Sequence, residues 1–186
     1  MPASEPSPDQ TLWQSWSGGD AVAGKSLSQR FLPVLRAFFA SKVAADQVED
    51  LVQQVWLQIG EIRCRGSAPE IRSSVRSYVL GIARHVLLGY LRSRYRDERL
   101  DPLQSSIAIL DPSLSQAVGR RMQAQRMLRA LQRLPIDIQV MLELRYDHEL
   151  SYPEIAGLYD LPEGTVKSRL ARARRLLELE LKDPLR

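Results

Sequence analysis

One cysteine and two histidines are all the thiol and imidazole that 186 residues offer to a metal. Cys64 has no partner for an internal disulfide, which suits the reducing cytoplasm. Cys64, His85 and His148 lie too far apart to match a metal-ligand spacing, so neither a metal nor another cofactor is expected. No apolar run approaches the roughly 18 residues of a membrane span, and the N-terminus lacks the basic-then-apolar order of a signal peptide. Membrane insertion is therefore not expected. Strand-type alternation and internal repeats are missing too. Hydrolytic chemistry needs clustered carboxylates or histidines as general base or metal ligands. Here the acidic residues are scattered and each histidine stands alone, so an enzyme is not expected.

What the chain does have is helical periodicity and unevenly placed arginine. The formal net charge is only +4. Between Arg63 and Arg99, however, nine arginines face only Glu70, Asp97 and Glu98, and between Glu163 and Arg175 five basic residues face Glu163 alone. Two separate basic stretches suggest two contacts with a polyanion, although each alone also fits a solvated helix face.

Residues 1–10, rich in proline and serine, read as a disordered tail. Leu12, Trp13 and Trp16 form the apolar edge of a helix ended by Gly18-Gly19. A second helix spans about 22–43, with Pro33 bending it or starting part of it. A third spans about 46–63 and a fourth about 73–96, with a loop from Arg65 to Pro69 between them. Turn chemistry replaces periodicity over 97–115, which reads as a flexible linker. Helices are then expected over about 114–134, in two shorter segments, and in a long basic one. The expectation is an all-α fold: two small helical bundles, 11–96 and 116–186, with a helix-turn-helix in the second.

The helix-turn-helix is the sharpest local signal. Ser151 with Glu154 three residues on is a capping box, and Pro153 is tolerated in the first turn. Asp160-Leu161-Pro162 supplies the turn, with Leu161 available to plug the core. On the next helix Val166, Leu170, Ala173 and Leu177 share a packing face. Lys167, Ser168, Ala171, Arg172 and Arg175 lie opposite, with Arg169 and Arg174 at the flanks. A major groove about 12 Å wide admits one such helix. In the third helix Val48, Leu51, Val52, Val55, Ile59 and Ile62 share a face. Asp50, Gln53, Gln54, Leu57 and Glu61 lie outward, Leu57 being apolar among polar neighbours.

Residues 47–57, Gln-Val-Glu-Asp-Leu-Val-Gln-Gln-Val-Trp-Leu, resemble the polymerase-binding helix of region 2 in extracytoplasmic-function sigma factors, the small two-domain members of the sigma-70 family. Ser77 to His85 resembles the following promoter-melting segment. Leu131 to Pro135, Gln139 to Tyr146, Leu150 to Ala156 and Leu161 to Arg174 resemble region 4. The likeness runs from about Leu12 to Leu181.

This resemblance implies a factor that directs core RNA polymerase to promoters. Asp50, Gln53, Gln54 and Leu57 would meet the clamp helices of the largest subunit, and the flap of the second-largest subunit would be a further contact. Arg63, Arg65, Arg72, Arg76, Tyr78, Arg84, His85 and Arg92 would engage and melt the −10 element. Thr165, Lys167, Ser168, Arg169, Ala171, Arg172 and Arg175 would read the −35 element, and residues 97–115 would thread toward the RNA exit. An anti-sigma partner is implied as well. Tyr78 stands where the family often has tryptophan, Gly81 where a basic residue is frequent, His85 where asparagine is common and Gln54 where glutamate is usual. Without an extra C-terminal domain, no built-in sensing is expected. The competing readings are a conventional helix-turn-helix regulator, which need not load polymerase, and a nuclease, which the scattered carboxylates disfavour. Cys64 beside Arg63 and Arg65 reads as a plain loop thiol before a redox sensor.

Overall fold

The computed structural model describes residues 7–64, 71, 74–94, 127 and 129–182. Every described element is helical, and the chain divides into two compact units, Met1–Leu87 and Leu88–Arg186. The division falls inside a continuous helix; the expected linker over 97–115 lies outside the described residues, as does most of the expected helix over 114–134.

In the first unit α1 (Pro8–Ser17) begins earlier than expected, within the stretch read as a tail. Ser7 explains it. Its hydroxyl accepts from the Gln10 amide at 3.3 Å, while the Gln10 side chain accepts from the Ser7 amide at 3.0 Å. This reciprocal cap satisfies two amides that the helix cannot, and Pro8 costs nothing at a first-turn position. Residues 1–6 lie outside the described residues. After Gly18, Gly19 takes a φ of 108°, where a side chain would be strained. Asp20 then caps α2 (Ala21–Ala40), accepting from the Val22 and Ala23 amides at 2.8 and 3.2 Å.

Pro33 neither starts nor ends α2. Its ring sits on the exposed side, while Phe31 and Leu35 hold the buried face on either side of it. A 3-10 turn (Ala45–Gln47) leads into α3 (Val48–Cys64), and α4 (Val75–Arg94) follows. The core joins Leu27, Phe31, Leu35, Phe38 and Phe39 of α2 to Leu51, Val52, Val55 and Ile59 of α3, with Val79, Leu80, Ala83 and Leu87 of α4 also buried. Each such side chain contributes about 1.5–3 kcal/mol relative to exposure. Ile62, expected on the packing stripe, is only half-buried near the end of α3. Two ion pairs brace the helices outside the core: Arg30 to Asp9 at 2.7 Å, and Arg36 to both Glu49 oxygens at 2.7 and 2.9 Å. Lys42 is buried, its ammonium donating to the Phe38 carbonyl and lying over the Phe38 ring, so its charge is not left unmatched.

In the second unit Met127 and residues 129–132 are helical and precede α5 (Ile136–Tyr146), α6 (Tyr152–Tyr159) and α7 (Glu163–Lys182). Pro135 separates the first two. The Gln139 amide bridges the break, donating to the carbonyls of Gln132 and Leu134 at 3.3 and 2.7 Å. Those carbonyls are the kind a helix end leaves unpaired. Ile136, Val140, Met141, Leu144, Leu150, Ile155, Val166 and Leu170 form the core.

Candidate functional site

The α6–α7 pair builds a convex cationic helix from local rules. Ser151 caps α6: its hydroxyl accepts from the Glu154 amide at 3.4 Å, and a Glu154 carboxylate oxygen accepts from the Ser151 amide at 2.8 Å. Asp160 ends α6 in a left-handed conformation, φ 50°, which aspartate tolerates better than most residues. Leu161, expected to plug the core, is half-buried, and its amide donates to the Ala156 carbonyl at 3.0 Å. The Tyr159 hydroxyl donates to the Asp137 carbonyl at 3.0 Å and fastens α6 to α5. On α7 the expected stripe of Val166, Leu170, Ala173 and Leu177 is buried. Lys167, Ser168, Ala171, Arg172, Arg174 and Arg175 are exposed, while Thr165 and Arg169 are half-buried at its margins. Ser168 folds its hydroxyl back onto the Thr165 carbonyl at 2.9 Å.

Lys167 pairs with Glu163 one turn earlier and lies 5.3 Å from the centre of the Tyr152 ring. The Arg145 guanidinium lies 4.9 Å from the same ring and donates to the Leu150 carbonyl at 3.1 Å. Sequence reasoning did not assign Arg145 and Tyr152 to this surface. Nothing in their spacing announces the contact, because it joins three helices in space. His148, read as a solitary histidine, is in fact buried with Nε2 3.7 Å from a Glu143 carboxylate oxygen.

In the first unit α3 buries Val48, Leu51, Val52, Val55 and Ile59. Asp50, Gln53, Gln54 and Leu57 all stand exposed on the opposite side, and Leu57 keeps 65% of its surface in contact with solvent. An apolar side chain held out among polar ones gains from docking, since a partner removes that surface from water.

The residues expected to act on α4 do not share one face. At about 100° per residue, Tyr78, His85 and Arg92 form one stripe together with Gly81 and Gly89, Arg76 lies opposite, and Arg84 lies between. His85 and Arg92 are exposed, whereas Arg76, Tyr78 and Arg84 are half-buried. Tyr78 is not a free stacking platform: its ring meets Trp13 edge-on at 5.1 Å, and its hydroxyl has no hydrogen-bond partner among the described residues. Burial pushes that hydroxyl up from its ordinary pKa. Arg63 is half-buried near the end of α3, and Arg65 and Arg72 lie outside the described residues. Among the described residues no group of three or more His, Cys, Asp or Glu side chains is arranged to hold a metal ion. No described helix is long and apolar enough to cross a membrane.

Comparison with known proteins bears on both units. Residues 124–177 match the family described as sigma-70, region 4. The chain is 30% identical over 165 residues to the RNA polymerase sigma factor HrpL of Pseudomonas syringae pv. syringae, covering 86% of this chain and 87% of that one. It is 25% identical over 198 aligned positions to the ECF RNA polymerase sigma-E factor of Escherichia coli strain K12, covering 98% and 99%. Among solved structures it is similar to the sigma factor RpoE, in complex with the anti-sigma factor NepR, from Bartonella quintana. That likeness has a TM-score of 0.63 at 25% identity and covers 86% of this chain and 99% of that one. With the helix-turn-helix in place and relatives matched along both units, the chain belongs to the extracytoplasmic-function sigma factors of the sigma-70 family.

Proposed function

We propose that this sigma factor works in the cytoplasm as a non-catalytic initiation factor with two jobs on two surfaces. The α3 face of Asp50, Gln53, Gln54 and Leu57 docks on the clamp helices of the largest polymerase subunit, and the flap of the second-largest subunit holds the C-terminal unit. Arg63, Arg65, Arg72, Arg76, Tyr78, Arg84, His85 and Arg92 engage the −10 strand. Cations hold its backbone while an extruded base is enclosed by side chains. Thr165, Lys167, Ser168, Arg169, Ala171, Arg172 and Arg175 read the −35 duplex, with Arg172 suited to bidentate pairing with a guanine and Ala171 to a thymine methyl. Residues 97–115 thread between the two through the polymerase. An anti-sigma partner covers these faces when the factor is idle.

The observation that carries the reading is the exposed face of α7. Four cations (Lys167, Arg172, Arg174, Arg175) and two small side chains (Ser168, Ala171) project from a helix anchored by a capped α6. Small groups let the backbone approach base edges, and the cations pay no penalty beside phosphates. The test is selection of promoter fragments by the complex of this chain with core polymerase. Recovered DNA should share two short elements at fixed separation. Recovery of only one element, unchanged by the presence of core polymerase, would favour a conventional helix-turn-helix regulator.

A further inference from the structure

Four side chains from three helices, α1, α3 and α4, stand in series in the first unit. Tyr78 of α4 packs edge-on against Trp13 at 5.1 Å, Trp13 packs edge-on against Trp16 at 5.3 Å, and the Arg63 guanidinium lies 5.1 Å from the centre of the Trp16 ring. Trp13 is 5% exposed and is the fixed point of the series. Trp16 also lies close against α2. Gly24 approaches it so closely that an added Cβ would lie 2.5 Å from the indole Nε1. The indole is thus confined on the side of Gly24, and it presents a π surface to the end of α3.

We infer that Trp16 is a positioning residue for Arg63: the indole seats the guanidinium so that its N–H donors meet the −10 strand in one orientation. The inference rests on the proposed reading in which Arg63 faces that strand, and it deepens that reading by assigning a role to α1. A guanidinium seated over an aromatic ring keeps its edge donors available for phosphate or base oxygens. Unseated, a long arginine side chain samples many rotamers and must be ordered at each binding event. Arg63 also lies in the last turn of α3, where the helix dipole favours a cation but does not orient it. The indole supplies the orientation. The two tryptophans together hold the residues that flank the stretch joining α3 to α4, Arg63 before it and Tyr78 after it.

The test is initiation by the full chain with core polymerase on a promoter and on versions changed at single −10 or −35 positions. The cation–π range implies that W16L lowers the ratio between correct and altered −10 promoters about fivefold, with W16F within about twofold of the parent chain. R63Q, which removes the DNA contact itself, should lower the ratio at least as far as W16L, and the double variant W16L/R63Q should be no worse than R63Q alone, because Trp16 acts only through Arg63. Discrimination at −35 and affinity for core polymerase should not change. Should W16L not fold, W16M keeps the apolar bulk while removing the ring, and takes its place in the cycle. Losses that multiply in the double variant overturn the inference. So does a fall in −10 discrimination, −35 discrimination and polymerase affinity together, which marks general loosening. If W16L and R63Q leave an intact −10 preference untouched, the positioning role fails and the proposed function stands. If the parent chain shows no −10 preference, the proposed function fails and takes this inference with it.

Discussion

Helices α3 and α7 are built alike and present opposite kinds of surface. Each is long, and each buries a stripe at helical spacing: Val48, Leu51, Val52, Val55 and Ile59 on one, Val166, Leu170, Ala173 and Leu177 on the other. Their outward faces differ in kind. On α3 it holds Asp50, Gln53, Gln54 and a leucine, a surface that phosphates repel and protein can cover. On α7 it holds lysine, arginine, serine and alanine, a surface that a DNA groove admits. Periodicity thus determines where a helix packs, and only the solvent-facing residues say what it meets.

The sharpest way to break this contrast is Leu57→Arg. The side chain is exposed, so stability should stay within about 0.5 kcal/mol, while affinity for core polymerase should fall by about a hundredfold or more, as for a central interface residue. Thermal melting and polymerase capture measure the two effects, and −35 duplex binding should survive. On the other helix, Arg172→Ala should cost about 1–3 kcal/mol of discrimination at one −35 base pair. Lys167→Ala should weaken all duplexes evenly and lower the salt slope by about one. Titration of −35 duplexes at several salt concentrations separates them.

Glycine gives the next contrast between the units. Gly24→Ala drives a methyl into the Trp16 indole and should destabilise by about 1–3 kcal/mol. Gly157→Ala on α6 meets nothing within 4 Å and should stabilise by about 0.5–1 kcal/mol. Urea unfolding reads both. Ser151→Ala removes the α6 cap and should cost about 1 kcal/mol, reducing −35 binding in parallel.

The smallest expected effect is on acid sensitivity. The Arg36 guanidinium holds the Glu49 carboxyl below its usual value, and the carboxylate raises Arg36 in return. A depressed carboxyl stabilises the fold above its ordinary pKa, and the contribution fades as pH falls through the lower, folded value. The pair is exposed, so the effect should be slight. Glu49→Gln should lower stability slightly at neutral pH, leave it unchanged below the folded carboxyl value, and so flatten the profile between the two. A melting series in acid buffers checks it.

These elements were legible in the sequence to different degrees. The packing and outward faces of α7 and the cap at Ser151 follow from spacing and chemistry within one or two turns, and the structure has both. The start of α1 was equally local: Ser7 and Gln10 form the same kind of cap, but proline and serine around them suggested a tail. What spacing could not reveal is contact between distant helices. Nothing in the spacing pairs Tyr78 with Trp13, and Arg63 looked like one arginine among nine until Trp16 was seen beside it. Arg145 and Tyr152 joined the α7 surface for the same reason.

The most direct test of the two-surface account is run-off transcription by purified core polymerase supplied with this chain, either unaltered or as Leu57→Arg. The account predicts transcripts with defined starts from the unaltered chain and none from Leu57→Arg, whose α7 still protects the upstream duplex. Defined transcripts from both proteins, or from neither, would contradict it.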